Sequence, residues 1–230
     1  MDIRAVQKRL KELGFDPGPI DGQIGRLTTA AVTAFQQAKR IDAKYPGTIG
    51  PKTLAALFPE KPEVTVPRPA AHPWFDLALR KKGLHEGRDY AELAKFLKSD
   101  GGTVGDPRRV PWCGDFVETC IAVTLPNEPL PTNPYLARNW LKFGQATKPT
   151  FGAVLVFWRG KKSGVSGHVG FAAGQSQSSY YLLAGNQSDA VSVAPISKTR
   201  LLGARWPSTM QLPEIALPIM KGGKLSINEA

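Results

Sequence analysis

The chain has 230 residues, 42% of them hydrophobic, which suits one large domain or two smaller domains with real cores. Its formal net charge of +11 favours a polyanionic partner, and a cell-wall polymer, a nucleic acid or an anionic lipid surface would each satisfy it. Lys and Arg outnumber Asp and Glu in the N-terminal, middle and C-terminal parts alike, which excludes a separate basic arm.

The first residues, MDIRAVQKRL, contain no apolar stretch of signal-peptide length, and no run of about 18 apolar residues occurs anywhere. We therefore expect synthesis in the cytoplasm without a leader and no stable insertion into a membrane. The two cysteines, Cys113 and Cys120, would lie roughly 10 Å apart on one helix. A disulfide needs Cα atoms within about 7 Å, so two free thiols are expected.

Three short helices are predicted before residue 60. Ile3, Val6 and Leu10 have helical spacing, and two further helices follow the turns FDPGPIDGQIG and KYPGTIG. The two turn-helix segments repeat each other at an offset of 25 residues, so that one set of positions matches another: Gly22, Ile24, Gly25, Thr28, Ala30 and Ala31 match Gly47, Ile49, Gly50, Thr53, Ala55 and Ala56. The pattern predicts a compact three-helix unit.

The segments VQKRLKELGFDPGPIDGQIGRLTTAAVTAFQQ and GTIGPKTLAAL resemble the peptidoglycan-binding domain of bacterial and phage wall hydrolases. The resemblance implies that residues 1–59 bind peptidoglycan. Asp21 and Gln36 are weak candidates for contacts with sugar or peptide, since either could instead hold a turn. Residues 60–72, EKPEVTVPRPAAH, are rich in proline and are predicted to be a semi-rigid linker.

Helices are predicted next at 74–82, at 88–98 and from Pro111 onward. Strands are predicted from runs of apolar residues, namely 153–158, 168–173, 179–185, 190–194 and 201–206. The expected fold class is α+β, with helices packed on an antiparallel sheet over residues 73–208. The tail, 209–230, could dock on this domain or stay mobile.

Cys113 would sit in the first turn of its helix, where the positive end of the helix dipole stabilises a thiolate and lowers the pKa of the thiol. Cys120 lies two turns further along the apolar stripe and is expected to be a small buried hydrophobe. Of the three histidines, His72 and His85 are predicted to face solvent. His168 stands between glycines at the start of an apolar strand, where a backbone or substrate can approach.

The turn GQSQS predicts a hairpin in which the residue numbers of two cross-strand partners add up to about 352. His168 would then face position 184, and Asn186 would lie two residues further along the same face, where it could orient the imidazole. Asn186 could instead be a turn residue, with Asp189 as its competitor.

Six blocks resemble the papain-like wall hydrolases of the CHAP and NlpC-like superfamily, notably a phage and prophage subgroup: PWFDLALRKKGLHEG, GDPRRVPWCGDFV, FGAVLVFWRG, GHVGF, LAGNQSDAV and RLLGARWP. The resemblance implies that Cys113 is a nucleophile, His168 its base and Asn186 the residue that orients the base. Trp112 and Asp115 are weak substrate-binding candidates. Gly114 and Asp115 depart from the family pattern, in which small apolar residues are commoner.

The expected activity is hydrolysis of an amide bond in the peptidoglycan peptide through an acyl-enzyme, without cofactor or metal. The backbone N–H of Cys113 would be one oxyanion donor, and the second is not identifiable. Whether the bond is the N-acetylmuramoyl-L-alanine amide or one within the stem peptide stays open, as does the host.

Three roles remain from the sequence: a monomeric phage endolysin released through a holin, a wall-degrading toxin delivered by a secretion system, or a non-catalytic peptidoglycan binder. A glycosidase or a zinc enzyme lacks its motif here. Nucleic-acid binding lacks any recognisable module.

Overall fold

The computed structural model describes residues 2–43, 45–58, 72–213 and 215–220. The chain divides into two compact units, Met1–Glu63 and Val64–Ala230. The predicted linker lies outside the described residues, apart from His72. No helix in the described ranges is long and apolar enough to cross a bilayer.

The N-terminal unit is built from the three predicted helices, α1 (Ile3–Glu12), α2 (Arg26–Ala38) and α3 (Pro51–Leu57). Asp2 caps α1 by accepting a hydrogen bond from the Ala5 N–H at 3.2 Å. The helices bury one small apolar core, which consists of Val6, Leu10, Ala31, Val32, Phe35 and Leu57.

The repeat in this unit is organised by two buried glutamines. Gln7 accepts a hydrogen bond from the Gly22 N–H at 2.8 Å and donates to the Asp21 carboxylate at 2.9 Å. Gln36 accepts from the Gly47 N–H at 2.9 Å and donates to the Thr53 hydroxyl. Gly22 and Gly47 have φ angles of +82° and +83°, a conformation that favours glycine. Each glutamine therefore fixes one glycine turn to the helix that precedes it.

The C-terminal unit has the predicted α+β architecture, with helices packed on an antiparallel six-stranded sheet of order β1-β6-β2-β3-β4-β5. Its helices are α4 (Pro73–Arg80), α5 (Tyr90–Leu97) and α6 (Cys113–Thr124). Its strands are β1 (Gln145–Ala146), β2 (Val154–Trp158), β3 (Gly167–Gln175), β4 (Ser179–Ala184), β5 (Ser192–Ser197) and β6 (Leu201–Trp206).

Two details of this unit differ from the prediction. The strand expected at 190–194 lies at Ser192–Ser197, because residues 185–189 form a turn that occupies the earlier positions. Strand β1 and the 3-10 helices Ala137–Lys142 and Lys198–Arg200 have no apolar periodicity and were not predicted. The core between α4, α6 and the sheet is rich in aromatic residues, and the indole N–H of Trp74 donates to the Gly152 carbonyl at 2.8 Å.

The described part of the tail docks on the C-terminal unit. The Glu128 carboxylate accepts the N–H groups of Ser208 and Thr209 at 2.7 and 2.8 Å. Further along, residue 219 forms a parallel bridge with Gln175 at the end of β3, and Met220 is buried. The domain therefore continues past residue 208, its predicted end, while residues 221–230 lie outside the described ranges.

His72 was predicted to face solvent, and this prediction is wrong. The imidazole is only 7% exposed, is stacked on Trp74 with ring centroids 5.1 Å apart, and meets Trp206 edge-on. Burial lowers the pKa of His72, because the charged form loses its hydration. His85 is half-buried and accepts the Gly87 N–H at 3.0 Å.

Candidate active site

Cys113 is the first residue of α6, as the sequence predicted, and its sulfur lies against the sheet. The backbone N–H groups of Val169 in β3, of Gly114 and of Cys113 itself face the thiol and favour its ionised form. The next residue, Gly114, has no room for a side chain, because an added Cβ would lie 2.5 Å from the Pro134 carbonyl oxygen. Glycine at this departure from the family pattern thus lets the start of α6 pack closely.

The pKa of Cys113 differs from the sequence expectation. Burial raises it, and the opposing effects of the three backbone N–H groups and of the positively charged Arg159 are smaller. The expected lowering by the helix dipole is therefore wrong for this structure, in which Cys113 is 4% exposed. Cys120 is fully buried with a pKa raised well above its ordinary value, and both thiols are free.

His168 is the second residue of β3 and pairs with Phe157 of β2. It directly precedes Val169, whose N–H faces the Cys113 sulfur, so His168 lies on the strand that packs beside the start of α6. The imidazole is fully buried. The flanking glycines suggested that a backbone or substrate can approach here, and in this structure both side chains are enclosed by protein.

The register between β3 and β4 differs from the expected one by two positions. Phe171 pairs with Leu183, so partners sum to 354, and the strands are interrupted by a bulge between Ala172 and Gly174. Extending this register places position 186, rather than 184, across from His168. The hairpin turns later than its sequence suggested, and β4 ends at Ala184, so Asn186 lies in the turn beyond the paired residues.

Asn186 has the features of both readings that the sequence allowed. It lies in the turn after β4 with a left-handed φ of +57°, and it is 2% exposed. Gly185 before it packs on Trp112, since an added Cβ would lie 2.4 Å from that ring. Asp189, the competitor, is half-buried with φ +61° and belongs to the same turn.

Gln187 holds this turn and was missed by the sequence reasoning. Its side-chain amide donates to the Ser192 carbonyl at 2.7 Å and to the Leu182 carbonyl at 3.3 Å, and it is 2% exposed. It thereby ties the residue after Asn186 to both neighbouring strands. A polar residue directly after the predicted Asn186 was the only signal available.

Three of the four weak substrate-binding candidates are internal structural residues, which corrects those predictions. Trp112 is fully buried, and its indole N–H donates to the Glu86 carboxylate at 2.9 Å. The side chain of Gln36 accepts the Gly47 N–H and so holds its own turn. Asp115 is fully buried and accepts the Val104 N–H at 2.9 Å. Asp21 is exposed, and its pKa is lowered mainly by the hydrogen bond from Gln7, so its binding role stays a prediction.

A buried carboxyl cluster lies on α6 one turn beyond the cysteine. Burial raises the pKa of Asp115 to about 6. Burial, together with a hydrogen bond to Asp100, raises the pKa of Glu118 to about 8. With its pKa at about 8, the Glu118 carboxyl is mostly protonated at neutral pH.

The β2–β3 hairpin, residues 159–166, is cationic and rigidly braced. The guanidinium of Arg138 donates to three of its carbonyls, those of Ser166 at 2.8 Å, Lys162 at 3.0 Å and Lys161 at 3.1 Å. The hairpin joins the strand that ends beside His168 to the strand that carries it. Its first residue, Arg159, is half-buried.

Two further observations concern ligand space. Within the described ranges, no group of three or more His, Cys, Asp or Glu side chains could hold a metal ion. A surface groove of about 760 Å³ lies between residues 146–150 and the tail segment at 212–216, and neither Cys113 nor His168 lines it.

Comparison with known families identifies the first unit. Residues 1–57 match the profile of the family described as "Putative peptidoglycan binding domain". No curated protein and no solved structure gives a significant match to the chain. The N-terminal unit is therefore a peptidoglycan-binding domain, and the protein has a wall-related function.

Proposed function

We propose that the protein is a peptidoglycan hydrolase that cleaves an amide bond of the murein peptide with Cys113 as nucleophile. The observation that supports this most is the sulfur of Cys113 at the start of α6, which faces the backbone N–H of Val169, the β3 residue next to His168. The peptidoglycan-binding domain on the same chain would hold the second unit at this substrate. The six sequence blocks that resemble papain-like wall hydrolases also support the proposal.

In the proposed mechanism His168 takes the proton of Cys113 as the thiol attacks the carbonyl carbon of the amide. The protonated imidazole then donates to the leaving amine, and water releases the acyl group. Asn186 would orient the imidazole. Because burial raises the pKa of Cys113, the resting site is expected to hold a neutral thiol, with the proton transferred only on attack.

The test compares the wild type with Cys113→Ala on purified peptidoglycan. Loss of turbidity clearing with retained sedimentation on the wall polymer is expected for the variant. Cys120→Ala is the matched control, because Cys120 is equally buried but lies two turns further along α6. Clearing by Cys113→Ala at the wild-type rate would refute the mechanism and leave the non-catalytic binder.

Mass spectrometry of the released fragments then identifies the bond. A new L-alanine amino group with intact muramic acid defines an amidase, whereas a new terminus within the stem defines an endopeptidase. On this basis we further propose a phage endolysin that crosses the inner membrane through a holin. The secretion-delivered toxin has the same chemistry and requires a dedicated immunity protein, whose absence from the encoding locus would exclude it.

A further inference from the structure

Arg159 lies two ladder steps from the pair that contains the proposed catalytic histidine. Its N–H donates to the Ser166 carbonyl at 3.3 Å, so the β2–β3 pairing continues past the pair formed by Trp158 and Gly167. Phe157 pairs with His168, and alternate residues of a strand point to the same side. The Arg159 side chain therefore leaves the backbone on the same side of the hairpin as the imidazole.

The charge of Arg159 reaches the proposed nucleophile. It acts on the Cys113 thiol in the direction that favours the thiolate. The side chain is half-buried, so its charge is screened less than that of the exposed Lys161 and Lys162 in the same hairpin. A half-buried cation thus extends from the same side of the hairpin as the imidazole, and the proposed mechanism assigns it no role.

The hairpin keeps this cation in place. The three hydrogen bonds from Arg138 to carbonyls at residues 161, 162 and 166 fix the loop against the rest of the domain. Binding a ligand to a preorganised group costs less entropy than ordering a mobile one. The hairpin that carries Arg159 is therefore braced, which lowers the entropy cost of binding a ligand beside it.

We propose that Arg159 binds a carboxylate of the stem peptide next to the scissile amide, so that the enzyme selects substrates in which this carboxylate is free. The inference rests on the proposed function. A guanidinium matches a carboxylate with two parallel N–H···O bonds, which an amide in place of the carboxylate cannot accept. The substrate class is thus an acidic peptide rather than its amidated form.

The experiment uses two matched muropeptides that differ only in whether the D-glutamyl α-carboxyl group is free or amidated. For Arg159→Gln we expect kcat/KM on the free acid to fall about 10- to 100-fold, the range of one charge-assisted hydrogen-bond pair. On the amide the change is expected to be less than about threefold. Lys161→Gln, an equal charge change at an exposed position of the same hairpin, should leave both values unchanged.

A second measurement does not depend on turnover. In the Cys113→Ala background, calorimetry should show tighter binding of the free acid than of the amide, and Arg159→Gln should abolish the difference. Arg159→Lys should restore part of it, since the charge remains without the planar fork. Equal loss on both peptides, or preserved discrimination in Arg159→Gln, overturns the proposal. A wild type that binds selectively but cleaves neither peptide refutes the hydrolase function alone.

Discussion

At Cys113 two physical effects act on one sulfur in opposite directions. A helix N-terminus contributes about 0.3–1 kcal/mol to an anion, whereas removing a charged group from water can shift its pKa by about 3–5 units. Burial is therefore the larger effect, and the direction of the pKa change in the structure agrees with that ranking. The sequence shows which helix turn a cysteine occupies, but its depth depends on the sheet packed over it.

The thiol pKa gives a direct prediction for chemical labelling. At pH 7.5 we expect iodoacetamide to modify Cys113 at least about 100-fold more slowly than a free cysteine, because thiolate and access are both scarce. The labelling rate should keep rising as the pH passes the ordinary pKa of a cysteine thiol, because the pKa of Cys113 is raised above it. Intact-mass spectrometry of Cys120→Ala, which leaves one cysteine, measures it, and fast labelling at pH 7 would contradict the burial argument.

The raised pKa of Glu118 predicts how the free energy of unfolding depends on pH. A raised pKa means that the folded chain holds the proton more tightly, so stability is highest below the ordinary value of 4.5 and is lost as pH rises to about 8. Glu118→Gln keeps a hydrogen-bond donor without the ionisation. The variant should be more stable than the wild type at pH 8.5, by on the order of 2 kcal/mol. Each unit by which the pKa of Glu118 is raised adds up to about 1.4 kcal/mol to the cost of ionising it in the folded protein, and neighbouring carboxyl groups share part of that cost.

Urea unfolding at pH 5 and pH 8.5 measures this difference, which should vanish at the lower pH. The control is Glu92→Gln, a change at an exposed glutamate of α5. Its pH dependence should parallel that of the wild type. A Glu118→Gln curve that also parallels the wild type would show that Glu118 is not protonated in the folded protein.

At the scale of elements, local periodicity predicted most helices and strands within a few residues, because amphipathic patterns report which faces are buried. It did not predict the register of β3 with β4, because the hairpin turns later than the GQSQS segment suggests: Gln175 already pairs with Tyr180 beside the turn. His72 was misjudged for a similar reason. Its proline-rich surroundings suggest a linker, but its neighbours in space, Trp74 and Trp206, are supplied by distant parts of the chain.

The docked tail gives a prediction at this scale. Leu217 is buried and Leu212 is 40% exposed, although both belong to the same segment. Leu217→Ala should destabilise the C-terminal unit by about 2–3 kcal/mol through lost burial, and Leu212→Ala by less than about 0.5 kcal/mol. Thermal unfolding followed by tryptophan fluorescence checks both, since all five tryptophans lie beyond residue 73. Equal effects would contradict docking of the tail.

The whole molecule joins a peptidoglycan-binding domain to a second unit under a net charge of +11. A positive charge spread along the chain raises the local concentration of protein at an acidic polymer. We expect binding of Cys113→Ala to purified peptidoglycan to weaken steadily between about 50 and 500 mM salt, because the Debye length shortens over that range. Sedimentation assays at fixed wall concentration measure it, and salt-independent binding would mean that only the domain's short-range contacts matter.

The enclosure of Cys113 also bears on the durability of the protein. Oxidation of a thiol to sulfenic and then irreversible acids requires an accessible, ionised sulfur. A sulfur that is 4% exposed and neutral at rest meets neither condition. The proposed nucleophile is thus expected to resist oxidation by peroxide, so that any hydrolase activity should persist in preparations stored in air without added reductant.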